Sequence, residues 1–285
     1  MMRAAVITGV STGIGHACAI ELARQGVHVF GSVRHLADGD RLRVELDDRF
    51  TPLVFDVTDA GAVQAAAAQV ATAVGDAGLW GLVNNAGIAV SGPLQHLPVD
   101  DLRRQFEVNL FGLLSVTQAF LPLLGARRAC PHPAGRIVNI GSVSGRIAFP
   151  FLGPYSASKH ALEALSDSLR RELLIYGIDV IVIQPGAIRT PIWDKAGQED
   201  ATWLAGTDYY KAAIRLQRGA VAQGQENGLP PEQVAQTVFK ALSRAKPKTR
   251  YVLAKNKFTN WWLVRALPDR WFDKLIARML KLQKV

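Results

Sequence analysis

The stretch RAAVITGVSTGIGHACAIELARQG (3–26) runs three signals together. Its first residues form a short apolar run rich in β-branched side chains, which reads as a buried strand. The turn TGVSTGIG (8–15) follows at once, and a helical pattern opens at its end. Gly9, Gly13 and Gly15 stand in a G-x-x-x-G-x-G spacing. Glycines there permit a tight turn and close approach of the backbone to a pyrophosphate, whose charge the helix N-terminus attracts. The residues around those glycines, Ser11, Thr12 and Ile14, belong to the same expected cradle.

Working outward, strand-like and helix-like patterns alternate. VHVFGSVR (27–34), TPLVFDV (51–57), LWGLVNNAG (79–87), GRIVNIGS (135–142) and IDVIVIQPG (178–186) read as strands two to six, and RYVLA (250–254) as a seventh. Between them lie helical segments at 36–46, 59–75, about 98–125 and 153–176. The strands are short, rich in Val and Ile, and not alternating, as buried parallel strands are. Alternation with helices implies right-handed βαβ units. The fold class expected is α/β, a doubly wound parallel sheet of about seven strands with helices on both faces. Ligands in such sheets bind at the carboxyl ends of the strands, near the topological switch point. The reading divides the chain into a dinucleotide-binding catalytic domain (1–257), which includes a long connection at 190–229 expected to act as a substrate lid, and a C-terminal helical extension (258–285).

At 285 residues, 49% of them apolar, the chain can bury a large core. The two cysteines, Cys18 and Cys130, make no disulfide framework, and a reducing cytoplasm is expected. The histidines show no metal-ligand spacing. The first residues are too short an apolar run for a signal peptide, and no uninterrupted apolar run is long enough to span a bilayer. Net charge is +9, unevenly spread. From Lys240 onward there are 13 Lys and Arg against 2 acids, so the tail carries +11 and the rest −2. That argues against a nucleic-acid binder and for a local anionic partner of the tail.

YSASK (155–159) places a tyrosine and a lysine at i and i+4, one above the other on a helix. A lysine under a tyrosine favours the phenolate and pulls the phenol pKa toward neutrality. TGVSTGIG, NNAG (84–87), Ser142 at the end of strand five, YSASK and PGAIRT (185–190) occur in that order. Together they resemble the short-chain dehydrogenase/reductase family over roughly residues 4–245, and the tail resembles extensions in its steroid- and retinol-dehydrogenase-like branch. The resemblance implies an oxidoreductase. Tyr155 would be the general acid/base, Lys159 would lower its pKa and hold the nicotinamide ribose, Ser142 would hold the substrate oxygen, and Asn109 in FEVNLFG would complete the set. It further implies cofactor contacts by Asp56 and Val57 (adenine), by Asn84, Ala86 and Gly87, and by Pro185, Gly186, Ile188 and Thr190 (the nicotinamide end).

An NAD site usually has an acid at the end of strand two. Here Val33 stands in that place and Arg34 follows, and an arginine pairs with a 2′-phosphate. NADP(H) is therefore favoured over NAD(H). Phe149, Phe151 and Trp193, with the apolar lid, point to a sizeable apolar substrate such as a steroid, retinoid, fatty or terpenoid alcohol or carbonyl. A 3-oxoacyl-type reductase and a non-catalytic NADP-binding regulator are the alternatives, the second disfavoured by the complete Asn-Ser-Tyr-Lys set. The tail from Pro268 reads as a basic amphipathic helix able to lie on a membrane surface, on the lid or on a partner subunit. A homo-dimer or tetramer is a further expectation of the family.

Overall fold

The computed structural model describes residues 3–190, 206–225, 228–255 and 266–282. Its centre is one sheet of seven parallel strands: β1 (Arg3–Ile7), β2 (Val27–Val33), β3 (Phe50–Val54), β4 (Gly81–Asn84), β5 (Arg136–Ile140), β6 (Asp179–Pro185) and β7 (Arg250–Leu253). They lie in the order β3-β2-β1-β4-β5-β6-β7. The expected doubly wound sheet is thus present, with all seven strands. The chain winds outward one way from β1 and the other way from β4, so the crevice between their carboxyl ends is the switch point.

The continuous hydrophobicity of the strands follows from burial on both faces. In β1, Ala5 and Ile7 join one core while Ala4 and Val6 join the other. The first core is covered by α1 (Gly13–Arg24), α2 (Leu36–Leu46) and α8 (Pro231–Ser243), through Leu22, Leu42, Val234 and Val238. The second is covered by α3 (Ala60–Val74), α5 (Leu113–Phe120) and α6 (Gly153–Glu172), through Val70, Phe120 and Leu169. Asp59 caps α3 by accepting the Ala62 amide at 2.9 Å.

The expected long helix near 98–125 begins as α4 (Val99–Phe106), passes through a π-turn at Glu107–Gly112 and continues as α5. Among the described residues, the stretch 99–124 is long and apolar enough by composition to cross a bilayer. It buries Gln105, Asn109 and Thr117, hydrogen-bonded to Ile88, Ser158 and Asn84, and is a core helix.

Beyond the sheet, α7 (Tyr210–Gln225) and α9 (Asp269–Leu280) lie over the 149–151 loop. Phe151, Ala212, Ala213, Ile276 and Leu280 form a small separate core there. The tail helix therefore packs on α7 and the 149–151 loop of its own chain. The division expected at 257/258 falls outside the described residues.

Candidate active site

The glycine turn is fixed by polar side chains from three strands. The Gly9 amide donates to Ser32 Oγ at 2.9 Å, tying the turn to β2. Thr8 Oγ1 accepts from the Asn85 and Ala86 amides, both at 2.9 Å, tying β1 to β4. Asn85 Nδ2 donates back to the Thr8 and Gly9 carbonyls at 2.9 and 3.0 Å. Gly9 and Gly13 take φ of 71° and 62°, where a side chain would strain the backbone. Gly15 is needed for another reason: a Cβ there would fall 2.2 Å from the Gly9 carbonyl oxygen. It lets α1 close against the turn and does not itself face the cavity.

That turn forms one end of a cavity of about 620 Å³ along the carboxyl ends of the strands. Gly9, Ser11, Thr12, Gly13, Ile14, Arg34, Asp56, Val57, Ala86 and Gly87 line this end. Ser142, Tyr155 and Lys159 lie on the wall beyond, with Pro185, Gly186, Ile188 and Thr190. The far end is lined by Phe149, Leu152, Leu216, Met279 and Leu280. The sequence-predicted residues around this cavity come from motifs spread from Gly9 to Thr190, gathered by the sheet order.

Three further predicted positions stand away from the cavity lining. Asn84 does not face the cavity. It points into the sheet and donates to Thr117 Oγ1 at 3.0 Å and Asn139 Oδ1 at 2.9 Å, because side chains alternate along β4 and it falls on the opposite face. The neighbouring Asn85 lines the cavity instead. Phe151 also turns away. Its backbone is left-handed (φ 64°), and its ring packs on Tyr209 at 5.9 Å in the small separate core, while Phe149 lines the cavity. Asn109 acts from behind the wall. The π-turn carries its amide group to Ile88, whose N–H it accepts at 2.9 Å, and to Ser158 Oγ at 3.2 Å. Ser158 in turn donates to the Tyr155 carbonyl at 2.8 Å. Asn109 thus braces the catalytic helix from behind. Trp193 lies outside the described residues.

At the centre, Ser142 ends the strand-five segment, where its Oγ accepts the Ser144 amide at 3.1 Å and hydrogen-bonds Tyr155. Lys159 Nζ stands 5.8 Å from the Tyr155 ring centroid and donates to the Ile140 carbonyl at 2.8 Å. Both are buried. Burial pulls the Lys159 ammonium down to about 8, against the attraction of Glu163. Burial also pushes the Tyr155 phenol up, against the Ser142 hydrogen bond. The expected lowering of the phenol by Lys159 is not seen in this state. The ammonium is turned to a carbonyl, and desolvation of the phenolate dominates.

Glu163, one turn beyond Lys159 and buried, has no sequence motif to mark it. Its Oε2 accepts from Arg146 at 2.9 Å and from Arg250 Nε at 2.8 Å, and its Oε1 accepts from Gln184 at 2.6 Å. The network joins β6, β7 and the loop after β5 to the catalytic helix. Only the i+4 spacing from Lys159 could have suggested it. Arg41 was missed for a similar reason. It lies on α2, and its NH2 donates to the Ser11 carbonyl at 2.7 Å, which places a second cation beside the glycine turn with the exposed Arg34.

The sequence profile of the short chain dehydrogenase family matches residues 3–201, and the chain belongs to that family. It is 44% identical over 280 residues to the NADPH-dependent 3-dehydrocapnine reductase of Ornithobacterium rhinotracheale, covering 98% of each chain. It is 36% identical to dehydrogenase/reductase SDR family member 9 of Bos taurus, over 95% of this chain and 86% of that one. Among solved structures, a short-chain dehydrogenase from Streptomyces avermitilis superposes with a TM-score of 0.77 at 30% identity, covering 99% of this chain and 96% of the other.

Proposed function

We propose that this protein is an NADP(H)-dependent oxidoreductase that interconverts a secondary alcohol and a ketone, or a primary alcohol and an aldehyde, on an apolar substrate. The observation that carries the reading is the placing of Tyr155, Ser142 and Lys159 on one wall between a glycine-turn end and an apolar end of a single cavity. Tyr155, hydrogen-bonded to Ser142, is placed to give the proton in one direction and take it in the other.

The glycine turn suits a pyrophosphate. Arg34 and Arg41 suit a 2′-phosphate on the adenosine side, and the relative that shares most of this chain's length carries NADPH in its name. When bound, the cofactor would supply the hydride. The protein's own part is then to hold the carbonyl and protonate it. Ser142 donates a hydrogen bond to the substrate oxygen. Tyr155 delivers its proton to that oxygen as charge develops there. Lys159 supplies positive charge beside the phenolate left behind. Asn109 and Glu163 keep the catalytic helix in register. Phe149, Leu152 and Leu216 give the substrate an apolar wall, which fits a steroid, retinoid, fatty or terpenoid skeleton. Peripheral contact of the basic tail with membrane belongs to the same reading, as does pairing of two copies through the long helices, where Phe111 stands exposed.

The test is oxidation of NADPH by the purified protein with a panel of apolar ketones, repeated with Tyr155→Phe. The variant is expected to lose about 10²- to 10⁴-fold in kcat, the usual worth of a positioned acid. Near-normal turnover would sink the assignment.

A further inference from the structure

The tail helix α9 has three faces. Phe272, Ile276 and Leu280 turn inward to Phe149, Phe151 and α7. A second row, Trp271, Leu275, Met279 and Leu282, stands 67%, 50%, 54% and 38% exposed. Trp271, Leu275 and Met279 recur every four residues and form one continuous apolar stripe along the helix, and Leu282 follows just past its end, after the left-handed Lys281. Beside it runs a third row, Arg270, Lys274, Arg278 and Lys281, all exposed. The two acids, Asp269 and Asp273, sit in the first turns, where they complement the helix dipole. The apolar face expected from the sequence is thus split, half spent on the lid and half left outside.

We propose that this outer half seats the protein on an anionic lipid surface, with the stripe of α9 in the interfacial layer and the mouth of the substrate cavity turned toward the bilayer. Charge complementarity selects the occupant. An apolar stripe flanked by a basic ridge matches acyl chains beneath anionic headgroups. A second copy paired about a two-fold axis would bring the two basic ridges together, with no acidic row on α9 to answer them. The position of the stripe supports the same choice. Met279 is exposed in the stripe and also lines the cavity, next to Leu280 and opposite Leu216 of α7. The surface offered to lipid and the wall of the pocket are therefore adjoining sides of one helical turn. A substrate dissolved in the bilayer would pass along Met279 into the cavity without crossing water. This part rests on the apolar substrate proposed above, and it narrows that class to compounds that reside in membranes.

The test uses the full chain and vesicles of phosphatidylcholine, alone or mixed with phosphatidylglycerol. The protein is expected to co-sediment with the mixed vesicles and to leave them as salt is raised. Trp271→Ser with Leu275→Ser, and separately Lys274→Glu with Arg278→Glu, are each expected to weaken binding at least tenfold. Neither pair lies in the catalytic wall, so NADPH-dependent reduction of a short, water-soluble ketone should stay within about twofold, while reduction of a vesicle-borne ketone falls with the binding. Equal binding by the wild type and the serine variant would overturn the proposal. So would equal binding to neutral vesicles. A wild-type dimer in sedimentation velocity that the serine variant dissolves would assign the stripe to a second copy and overturn it as well. If the vesicle results hold but no ketone is reduced by the wild type, the lipid surface stands and the enzymatic reading alone fails.

Discussion

The two ends of the cavity are built by different means. The cofactor end is backbone held by short polar side chains: Gly9 and Gly13 in the turn, Thr8, Ser32 and Asn85 stitching it to three strands. These three struts tie the turn to the central sheet, and Arg41 of α2 adds a fourth through the Ser11 carbonyl. The substrate end is side chains on elements outside the sheet, a loop at 149–152 and two helices, joined by the small separate core. One end has a shape that tolerates almost no added atom. The other has a composition, which many apolar residues would satisfy. The same chain therefore fixes its cofactor rigidly and leaves substrate choice to parts that can vary without disturbing the sheet.

Beneath both ends lies the Glu163 network, and breaking it gives the largest expected effect. Glu163→Ala strips Arg146 of its carboxylate and leaves Arg250 with Asp167 alone, beside Lys159. Removing one partner of a buried ion pair costs about 3–5 kcal/mol, and the partial exposure of both arginines points to the lower figure. Urea unfolding should show a loss of that size, with both NADPH binding and turnover impaired. Unchanged stability would mean that the network is solvated in solution and does not join the two ends.

At the cofactor end, Gly15→Ala is the sharper cut. Its methyl group would stand 2.2 Å from the Gly9 oxygen and 2.5 Å from Asn85 Nδ2. The backbone oxygen cannot step aside, so the turn must move. Overpacking of this kind costs about 1–3 kcal/mol, and a displacement at the upper end weakens NADPH about 100-fold. Intrinsic fluorescence titration measures it directly. The matching change at the substrate end, Leu216→Ala, should leave that titration untouched.

How far each end was legible follows from the same contrast. The glycine turn, Ser142, Tyr155 and Lys159 could be placed from sequence because their chemistry needs particular residues at fixed spacing. Asn84 was misread because NNAG names two adjacent asparagines and only strand parity says which one faces the cavity. Phe151 was misread because a left-handed turn at a non-glycine residue leaves no mark in sequence. The tail helix was legible as amphipathic, but the division of its apolar face into Ile276 and Leu280 inside and Trp271 and Leu275 outside depends on where α7 lies. Glu163 and Arg41 act through partners far along the chain, which no local pattern records.

Arg34 tests the cofactor end by charge instead of shape. It stands exposed at the cavity rim just after β2, with Arg41 bound to the Ser11 carbonyl nearby. A charge-assisted hydrogen bond contributes about 1.5–3 kcal/mol, reduced here by solvent screening. Arg34→Ala should weaken NADPH about tenfold and leave NADH nearly unchanged. Equal loss for both would show that Arg34 supports the fold of the turn and does not choose between the cofactors.

The smallest effect is expected where the substrate end meets the lid. Phe149 lines the cavity on one side and meets Phe272 of α9 on the other, ring centroids 6.1 Å apart. Phe149→Ala removes apolar wall without touching Tyr155, Ser142 or the glycine turn. Discrimination by an apolar pocket is worth about 1–3 kcal/mol, and a partly open wall should give the lower figure. KM for a bulky apolar ketone should rise about tenfold or less, while kcat and NADPH affinity hold. A short ketone that never reaches the ring should show no change. If instead kcat falls for both ketones alike, the two ends are not independent, because the loop that carries Phe149 would then be setting the position of Tyr155 just beyond its end.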